Sequence, residues 1–325
     1  MNKFPFFTIS FDFELFWGMR DVTTLEKYGK NILEGRKSIP MILDLFEKKG
    51  IHATWAVVGM LCFPDKKKLM ECIPKNLPEY SNKKLDPYMD IPLIGKNEAE
   101  DPYHYGYSLV KKINETKGME IASHSFSHFY CKEKRKNKKA FADDLKASVD
   151  SLKLIGVDPI TYIFCRNQYE ESDLVVLKKM GFKVFRGIEK SIIFDSKANF
   201  FLRLLRFVDA YINLSGPNFS EPIMQNDIMN IPSSRFLRPA SNSKIEKFRV
   251  SRILKAMTEA ARQNTGFHLW WHPHNFGKNS KSSFYILNQI LDHFILLNRD
   301  FGMRSLNMSE VHEMHKTENK IISKI

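Results

Sequence analysis

Short apolar runs alternate with longer segments of helical spacing along most of the chain. The run 6–13 (FFTISFDF) is apolar, rich in aromatic and β-branched residues, and predicts a buried strand. The segment 37–50 has helical spacing and ends in Gly50, which favours a helix with a glycine C-cap. The same alternation predicts strands over 51–59, 119–125, 160–166, 182–187 and 266–274, and helices over 143–156, 171–181, 246–262 and 281–297. Strands that alternate with helices indicate an α/β fold with a parallel sheet.

Two segments interrupt this alternation. Residues 61–110 are richer in Pro, Lys and Asn, residues 190–245 are similar, and we interpret both as long insertions over the active site of a single domain spanning 1–325. Within the second, 199–212 sets arginines among apolar residues. This pattern fits a basic amphipathic helix on a membrane or over the site, and it also fits a helix packed on the body whose arginines snorkel. Residues 301–325 are expected to form a C-terminal tail.

Several function classes are disfavoured by composition. No run of about 18 apolar residues occurs, so we predict no transmembrane helix. The first residues have acids inside an apolar run and no small-residue cleavage site, which favours a first strand over a signal peptide. The four cysteines form no CxxC pair, which suits a reducing compartment. We therefore expect a cytoplasmic protein, with contact to a membrane surface left open.

The net charge of +13 predicts attraction to anions such as phosphorylated molecules, acidic lipids or nucleic acid. Part of the charge lies in KEKRKNKK (132–139), which fits a solvated helix start or loop and also a binding patch. The basic residues do not cluster with aromatic residues as a stacking platform for nucleic acid requires. We therefore expect no nucleic-acid partner.

Polar residues end several of the predicted strands. These residues are Asp12, Glu14, His124, Arg166 and His272. In α/β folds the carboxyl ends of parallel strands meet at one edge, and catalytic groups gather there. We therefore expect these five side chains to share one site.

Two imidazoles and a carboxylate are candidate metal ligands. His124 and His128 are four residues apart in HSFSH, a spacing that alone is a weak signal. Asp12 and Glu14 are two apart at a strand end, so both carboxylates can face one pocket. Two imidazoles with one carboxylate form a known catalytic zinc set. The alternative is an acidic pair neutralised by Arg20.

Two more strand ends supply candidate catalytic groups. His272 in FHLWWHPHNF precedes a proline, and its ordinary pKa suits a general acid. A satisfied core histidine, or a second metal pair with His268, are the alternatives. Arg166 in FCRNQY needs a carboxylate partner if it is buried, and Asp12 is the natural candidate.

These segments together resemble the polysaccharide deacetylase family (NodB homology, carbohydrate esterase family 4). TISFDFE, HATWAVVG, HSFSH, FCRNQYEES and LWWHP resemble the family's motifs in order, over about residues 6–275. The resemblance implies a distorted (β/α) barrel of seven or eight strands and a divalent metal, usually Zn²⁺.

The resemblance also implies roles for individual residues. Asp12 would be the catalytic base, Arg166 would orient it, and His272 would be the general acid. His124 and His128 would bind the metal. Many members have two adjacent aspartates, the second of which binds metal. Phe13 fills that place here, so Glu14 is the expected third ligand, with Asp12 as the alternative.

The implied function is removal of the N-acetyl or another N-acyl group from an amino sugar. We expect the sugar to be part of a cytoplasmic nucleotide- or lipid-linked precursor of a surface polysaccharide. Trp17, Arg238 and Trp271 are the predicted substrate contacts. A catalytically inactive carbohydrate-binding barrel is the alternative.

Overall fold

The structure, a computed structural model, describes residues 4–133, 138–188, 209, 216–241, 243 and 245–322. Of the amphipathic segment 199–212, only residue 209 is among them. The centre of the basic run 132–139 also lies outside the described residues. The predictions made for these two segments are therefore not tested.

The described strands form one curled sheet, a half-barrel in which most neighbours are parallel. The strands are β1 (Phe6–Phe13), β2 (Ala53–Val57), β3 (Met119–Ser123), β4 (Thr161–Ile163), β5 (Val184–Arg186), β6 (Ile223–Gln225), β7 (Ile228–Asn230), β8 (Arg235–Phe236), β9 (Gly266–Trp271) and β10 (Arg304–Ser305). Their order is β6-β7-β5-β4-β3-β2-β1-β9-β8, with β10 beside the start of β1. Only β6 and β7 pair antiparallel among the described strands. The predicted α/β fold with a parallel, barrel-like sheet is confirmed.

Helices cover the sheet between successive strands. They are α1 (Leu25–Lys49), α2 (Lys66–Glu71), α3 (Tyr107–Glu115), α4 (Lys138–Lys153), α5 (Glu171–Lys179), α6 (Glu246–Arg262), α7 (Ser280–Phe301) and α8 (Met308–Ile322). Helix α1 ends at Gly50 in the left-handed conformation, as its sequence predicts. It begins well before residue 37, because its apolar stripe continues N-terminally through Ile32 and the helix accommodates Pro40. Among the described residues, every helix is too short or too polar to cross a membrane.

The core is centred on β1, every residue of which is buried. Phe11 stacks on Trp55 of β2 with ring centroids 3.8 Å apart and meets Trp271 of β9 edge-on at 4.3 Å. Phe7, Ile9, Phe11 and Phe13 belong to this core, whereas Thr8, Ser10 and Asp12 alternate with them and are buried on the other face of the strand. The neighbours β2 and β9 thus fix β1 in the middle of the sheet.

The C-terminal segment is part of the fold. Residues Phe6 and Phe7 pair with Arg304 and Ser305, and α8 follows directly. Met308 and Val311 are fully buried against the end of the sheet opposite the carboxyl ends of the strands. The segment 301–325, expected to form a tail, instead contributes β10 and α8, and the apolar side chains of Met308 and Val311 close that end of the sheet.

The segment 61–110 packs on the loop that follows β1. Arg20 in that loop donates from Nε to Asp90 Oδ2 at 2.6 Å, and its Nη1 and Nη2 donate to the carbonyls of Lys84 and Asp86. The indole N–H of Trp17 donates to the carbonyl of His104. Since this loop begins at the carboxyl end of β1, the insertion lies beside the place where polar strand ends meet.

Candidate active site

Glu14 lies against both histidines of the HSFSH motif. Its Oε2 is 3.0 Å from His128 Nε2 and 3.6 Å from His124 Nε2. Glu14 follows the last residue of β1, and the motif follows β3, two strands away in the sheet. All three residues are buried. The parallel sheet therefore brings together the three groups that sequence reasoning proposed as metal ligands.

His124 is oriented for ligation. Its Nδ1 lies 2.8 Å from the carbonyl oxygen of Ile163, an acceptor, so the N–H is at Nδ1 and Nε2 carries the lone pair. That Nε2 is buried and has no hydrogen-bond partner among the described residues. A backbone carbonyl on the far nitrogen is the usual orienting partner of a metal-binding histidine.

The loop carrying the histidines is held by Asp144 of α4. Its carboxylate accepts from the backbone N–H groups of Phe126 and Ser127 and from the Ser127 hydroxyl. Ser125 and His128 have left-handed backbone, with φ of 62° and 59°. Such backbone is rare for residues other than glycine and persists where the surroundings fix it.

A third side chain meets the two imidazoles. The ligand atoms of His124, His128 and Cys165 all lie within 4.8 Å of one another, and the three residues are buried. Burial alone would raise the pKa of the Cys165 thiol, but the imidazoles of His124 and His128 lower it to about 6. The two histidines therefore have a carboxylate and a thiol within reach.

Asp12 is bound by Arg186 at the end of β5. Nη1 of Arg186 donates to Oδ1 at 2.7 Å and Nη2 donates to Oδ2 at 2.8 Å. The guanidinium also donates to Ser10 Oγ and Asn167 Oδ1, and it lies 4.2 Å from the ring centroid of Trp270. Burial would raise the pKa of Asp12, but the nearby cation and the imidazoles hold it below its usual value. The carboxylate is thus kept ionised and fixed in one orientation.

Arg166 does not contact Asp12, and the predicted pairing is wrong. Arg166 Nη2 donates to Asp21 Oδ2 at 2.5 Å, and its guanidinium lies 4.5 Å from the ring centroid of Tyr130. The backbone of Arg166 is left-handed, with φ of 56°, which takes the side chain away from the strand direction. The arginine that binds and orients Asp12 is therefore Arg186.

His272 faces both carboxylates from β9. Its Nε2 is 3.6 Å from Glu14 Oε1 and 3.8 Å from Asp12 Oδ2. Its side chain is 22% exposed, whereas those of Asp12 and Glu14 are 3% and 4% exposed. His272 is therefore the group of this cluster that an incoming molecule can reach most readily. His268, which lies within β9, shares a hydrogen bond of 2.8 Å with Ser10 Oγ and is a core residue.

The charges of the cluster suit a cation. Burial would raise the pKa of Glu14, but His272, His128 and His124 hold it well below its ordinary value. Burial would lower the pKa of His128, but Cys165 and Glu14 raise it to about 9. The imidazoles thus attract protons because acidic groups surround them, and a metal ion would neutralise the same charge. Together with the unpartnered Nε2 of His124, this donor set fits a divalent metal.

Comparison with known sequences gives a family match. A family description, polysaccharide deacetylase, matches residues 29–185. This segment includes His124 and His128 but not Asp12, Glu14 or His272. The predicted resemblance to the polysaccharide deacetylase family is confirmed for residues 29–185. No curated protein sequence is significantly similar to the chain.

Solved structures share the fold of this chain. A protein of Mycobacterium smegmatis assigned to the polysaccharide deacetylases is 12% identical, with a TM-score of 0.61 over 98% of this chain and 93% of that chain. A PuuE allantoinase is 10% identical, with a TM-score of 0.54 over 89% and 83%. A GH57-type branching enzyme from Pyrococcus horikoshii is 13% identical, with a TM-score of 0.52 over 95% and 70%. At these identities the likeness concerns the fold alone.

Two of the three predicted substrate contacts are core residues. Trp17 is 1% exposed, and its indole N–H donates to the carbonyl of His104. Trp271 is fully buried between Phe11 and Phe276. These two predictions are therefore wrong, because neither ring borders open space. Trp270, on the opposite face of β9, is the partly exposed tryptophan that lies near His272. Arg238 is partly exposed beyond β8, and its role stays a prediction.

Three residues of the candidate site were missed by sequence reasoning. They are Arg186, Asn167 and Cys165. Arg186 ends the strand in FKVFRG, so the same strand-end rule that selected Arg166 could have found it. Cys165 carries no motif signal, since a thiol in an apolar stretch is most often a core residue. Arg20, the alternative partner of the acidic pair, binds Asp90 instead.

Proposed function

We propose that this protein is a metal-dependent deacetylase that hydrolyses the N-acetyl or another N-acyl group of an amino sugar. The observation that carries the proposal is the convergence of Glu14, His124 and His128, with Asp12 and His272 within 4 Å of Glu14 or of each other. Asp12 lies in β1, Glu14 and His272 directly follow β1 and β9, and the two histidines of the motif lie in the loop after β3. A core packing role alone does not require two carboxylates and three imidazoles at one edge of the sheet.

Glu14, His124 and His128 would hold the divalent metal, with Zn²⁺ the preferred candidate. A metal bound by two imidazoles and a carboxylate supplies a Lewis acid and lowers the pKa of bound water. Asp12 is less suited to ligation because both of its oxygens accept hydrogen bonds from Arg186. This arrangement favours Glu14 over Asp12 as the carboxylate ligand.

Asp12 would act as the general base. Its carboxylate is ionised and oriented by Arg186, and Oδ2 lies on the side of His272. A proton leaving the attacking water would be accepted at this carboxylate as the new bond to the amide carbonyl forms. Positioned general bases of this kind contribute about 10²- to 10⁴-fold to the rate.

His272 would act as the general acid. Nε2 faces the two carboxylates and the ring is partly exposed, so it can reach a bound amide nitrogen. Protonation of that nitrogen lets the carbon–nitrogen bond break, leaving a free amine on the sugar and a carboxylate product. Asp12 and His272 would thereby divide the base and acid roles between β1 and β9.

The proposed substrate is an amino sugar carried on a nucleotide or on a polyprenyl phosphate inside the cell. The support for this part of the proposal is the net charge of +13, which attracts phosphorylated molecules in general. If the substrate is lipid-linked, we expect the protein to contact a membrane surface.

The test is elemental analysis of the purified protein together with assays of acetate and formate release. N-acetylated and N-formylated sugars would be supplied free, nucleotide-linked and lipid-linked. We expect a bound divalent metal and release from at least one phosphate-linked substrate. Bound metal with activity only on free sugars would reject the phosphate linkage. Carbohydrate binding without hydrolysis would favour an inactive barrel.

A further inference from the structure

A thiol faces the two imidazoles of the HSFSH motif. Cys165 belongs to a group of three buried residues, with His124 and His128, whose ligand atoms lie within 4.8 Å of one another. The side chain is 1% exposed, so it is closed to bulk solvent. The reaction proposed for Asp12 and His272 does not use this thiol.

The backbone around Cys165 is fixed in an unusual shape. Arg166 and Asn167 are consecutive residues with left-handed φ of 56° and 52°. Residues with a Cβ adopt this conformation at a cost, so the surroundings must hold it. Arg166 is bound to Asp21, and Asn167 accepts from Arg186. The turn that carries Cys165 is therefore held in place by the side chains of the two residues that follow it, Arg166 and Asn167.

The hydrogen-bonding groups near Cys165 are incompletely used. The thiol of Cys165 donates to the carbonyl oxygen of His124 at 3.4 Å, and Sγ lies 3.7 Å from the hydroxyl of Ser125. Nε2 of His124 is buried and has no hydrogen-bond partner within the described part of the chain. Buried polar atoms normally find a partner, and unsatisfied ones call for an explanation such as an ion.

We propose that Cys165 is a metal ligand that binds the cation of this centre together with His124 and His128. The inference rests on the proposed function, from which it takes the claim that the two imidazoles bind a divalent metal. As the sulfur–metal bond forms, the thiol proton is released to solvent and the sulfur supplies the electron pair, with no change of oxidation state.

Thiolate ligation has a consequence for the choice of metal. Soft sulfur ligands select zinc and similar cations, whereas carboxylate and water ligands suit magnesium and manganese. A catalytic zinc ion can expand to five ligands, so a position for water is compatible with donors from Glu14, His124, His128 and Cys165. The thiol would therefore make this centre specific for zinc-like metals.

The decisive measurement is spectroscopy of the metal-loaded full chain. The protein would be loaded with Co²⁺ and examined for sulfur-to-cobalt charge-transfer absorption. It would also be loaded with Zn²⁺ and examined by X-ray absorption for a sulfur neighbour at about 2.3 Å. We expect both signals in the wild type and their loss in Cys165→Ser. The matched control is Cys62→Ser, since Cys62 is equally buried but lies outside this cluster, and it should keep both signals.

Zinc affinity provides a second readout. A competing chelator should show that Cys165→Ser raises the Kd for zinc by more than about 10-fold, since even outer-shell changes cost about 10- to 100-fold. Metal bound to the wild type without a sulfur neighbour would overturn the Cys165 proposal and leave the proposed function standing. A wild type that binds neither zinc nor cobalt would overturn both. If Cys165→Ser fails to fold, the presence or absence of a sulfur neighbour in the wild-type spectrum still tests the proposal.

Discussion

Arg186 binds Asp12 through two parallel hydrogen bonds of 2.7 Å and 2.8 Å, with both side chains almost completely buried. A paired guanidinium and carboxylate of this geometry are strongly favoured once both are out of water. Removing one partner leaves the other as an uncompensated buried charge. This pair therefore both stabilises the sheet and fixes the orientation of Asp12, the proposed base.

Arg186→Gln is expected to destabilise the protein by about 3–5 kcal/mol, because Asp12 would remain buried without its cation. Arg166→Gln is the matched control, since that arginine pairs with Asp21 and is 32% exposed. It should cost about 1 kcal/mol or less. Urea unfolding followed by circular dichroism measures both. Equal losses for the two variants would contradict the assignment of Arg186 to Asp12.

Asp12→Asn is expected to lower kcat by about 10²- to 10⁴-fold, because an amide cannot accept the proton from water. Bound metal should persist, since Glu14, His124 and His128 remain. The measurement is acyl release under single-turnover conditions, with metal content determined on the same sample. Full activity in this variant would remove Asp12 from the role of base.

His124→Ala is expected to abolish metal binding, because the residue supplies the unpartnered Nε2 at the centre of the cluster. The control is His52→Ala, a histidine bound to Glu310 at the other end of the sheet. Elemental analysis after dialysis distinguishes the two. Full metal occupancy in His124→Ala would defeat the ligand assignment.

Gly18→Ala is expected to lower activity and metal affinity with little change in stability. A Cβ at Gly18 would overlap the carboxylate of Glu14, which is the flexible end of a side chain and can move aside. That movement would displace the proposed ligand. Gly156→Ala is the control, because Gly156 has φ of 81° and open space around it. It should cost about 1–2 kcal/mol of stability, from backbone strain, while leaving metal binding unchanged.

The hydrogen bond between His52 and Glu310 predicts a pH-dependent contribution to stability. His52 Nδ1 is 2.8 Å from both Glu310 oxygens, and this contact raises the pKa of His52 above its ordinary value of 6.5. A histidine whose pKa is higher in the folded state stabilises fully below the unfolded pKa. That contribution is lost as the pH rises through the folded pKa.

Unfolding of the wild type and Glu310→Gln would be compared between about pH 6 and about pH 9. The stability difference should shrink as the pH rises. A difference that stays constant over this range would show that the charged contact does not contribute.

The polar strand ends show how far sequence reasoning reaches. Asp12, Glu14, His124 and His272 were grouped correctly, because parallel strands place their carboxyl ends at one edge regardless of loop detail. Arg166 was placed at the same edge but paired with the wrong acid. Its backbone is left-handed, and the local sequence FCRNQY contains no pattern that predicts that conformation.

The two tryptophans of β9 show the same limit of sequence-based prediction within a single strand. Trp270 and Trp271 are neighbours in β9, and alternation sends them to opposite faces. Trp270 lies over Arg186 and near His272, whereas Trp271 packs in the core. The alternation itself is visible in the sequence, but which face meets the site depends on the curl of the sheet.

The amino-acid sequence by itself determined the α/β class, the main alternation of strands and helices, and the edge of the sheet at which the polar strand ends meet, because these follow from local periodicity and from the geometry of parallel strands. Only the tertiary structure decided that Arg186 rather than Arg166 binds Asp12 and that Cys165 joins the two histidines. Contacts between side chains far apart in sequence depend on sheet curvature and on single backbone angles in the turns, and neither is encoded in a short stretch of residues.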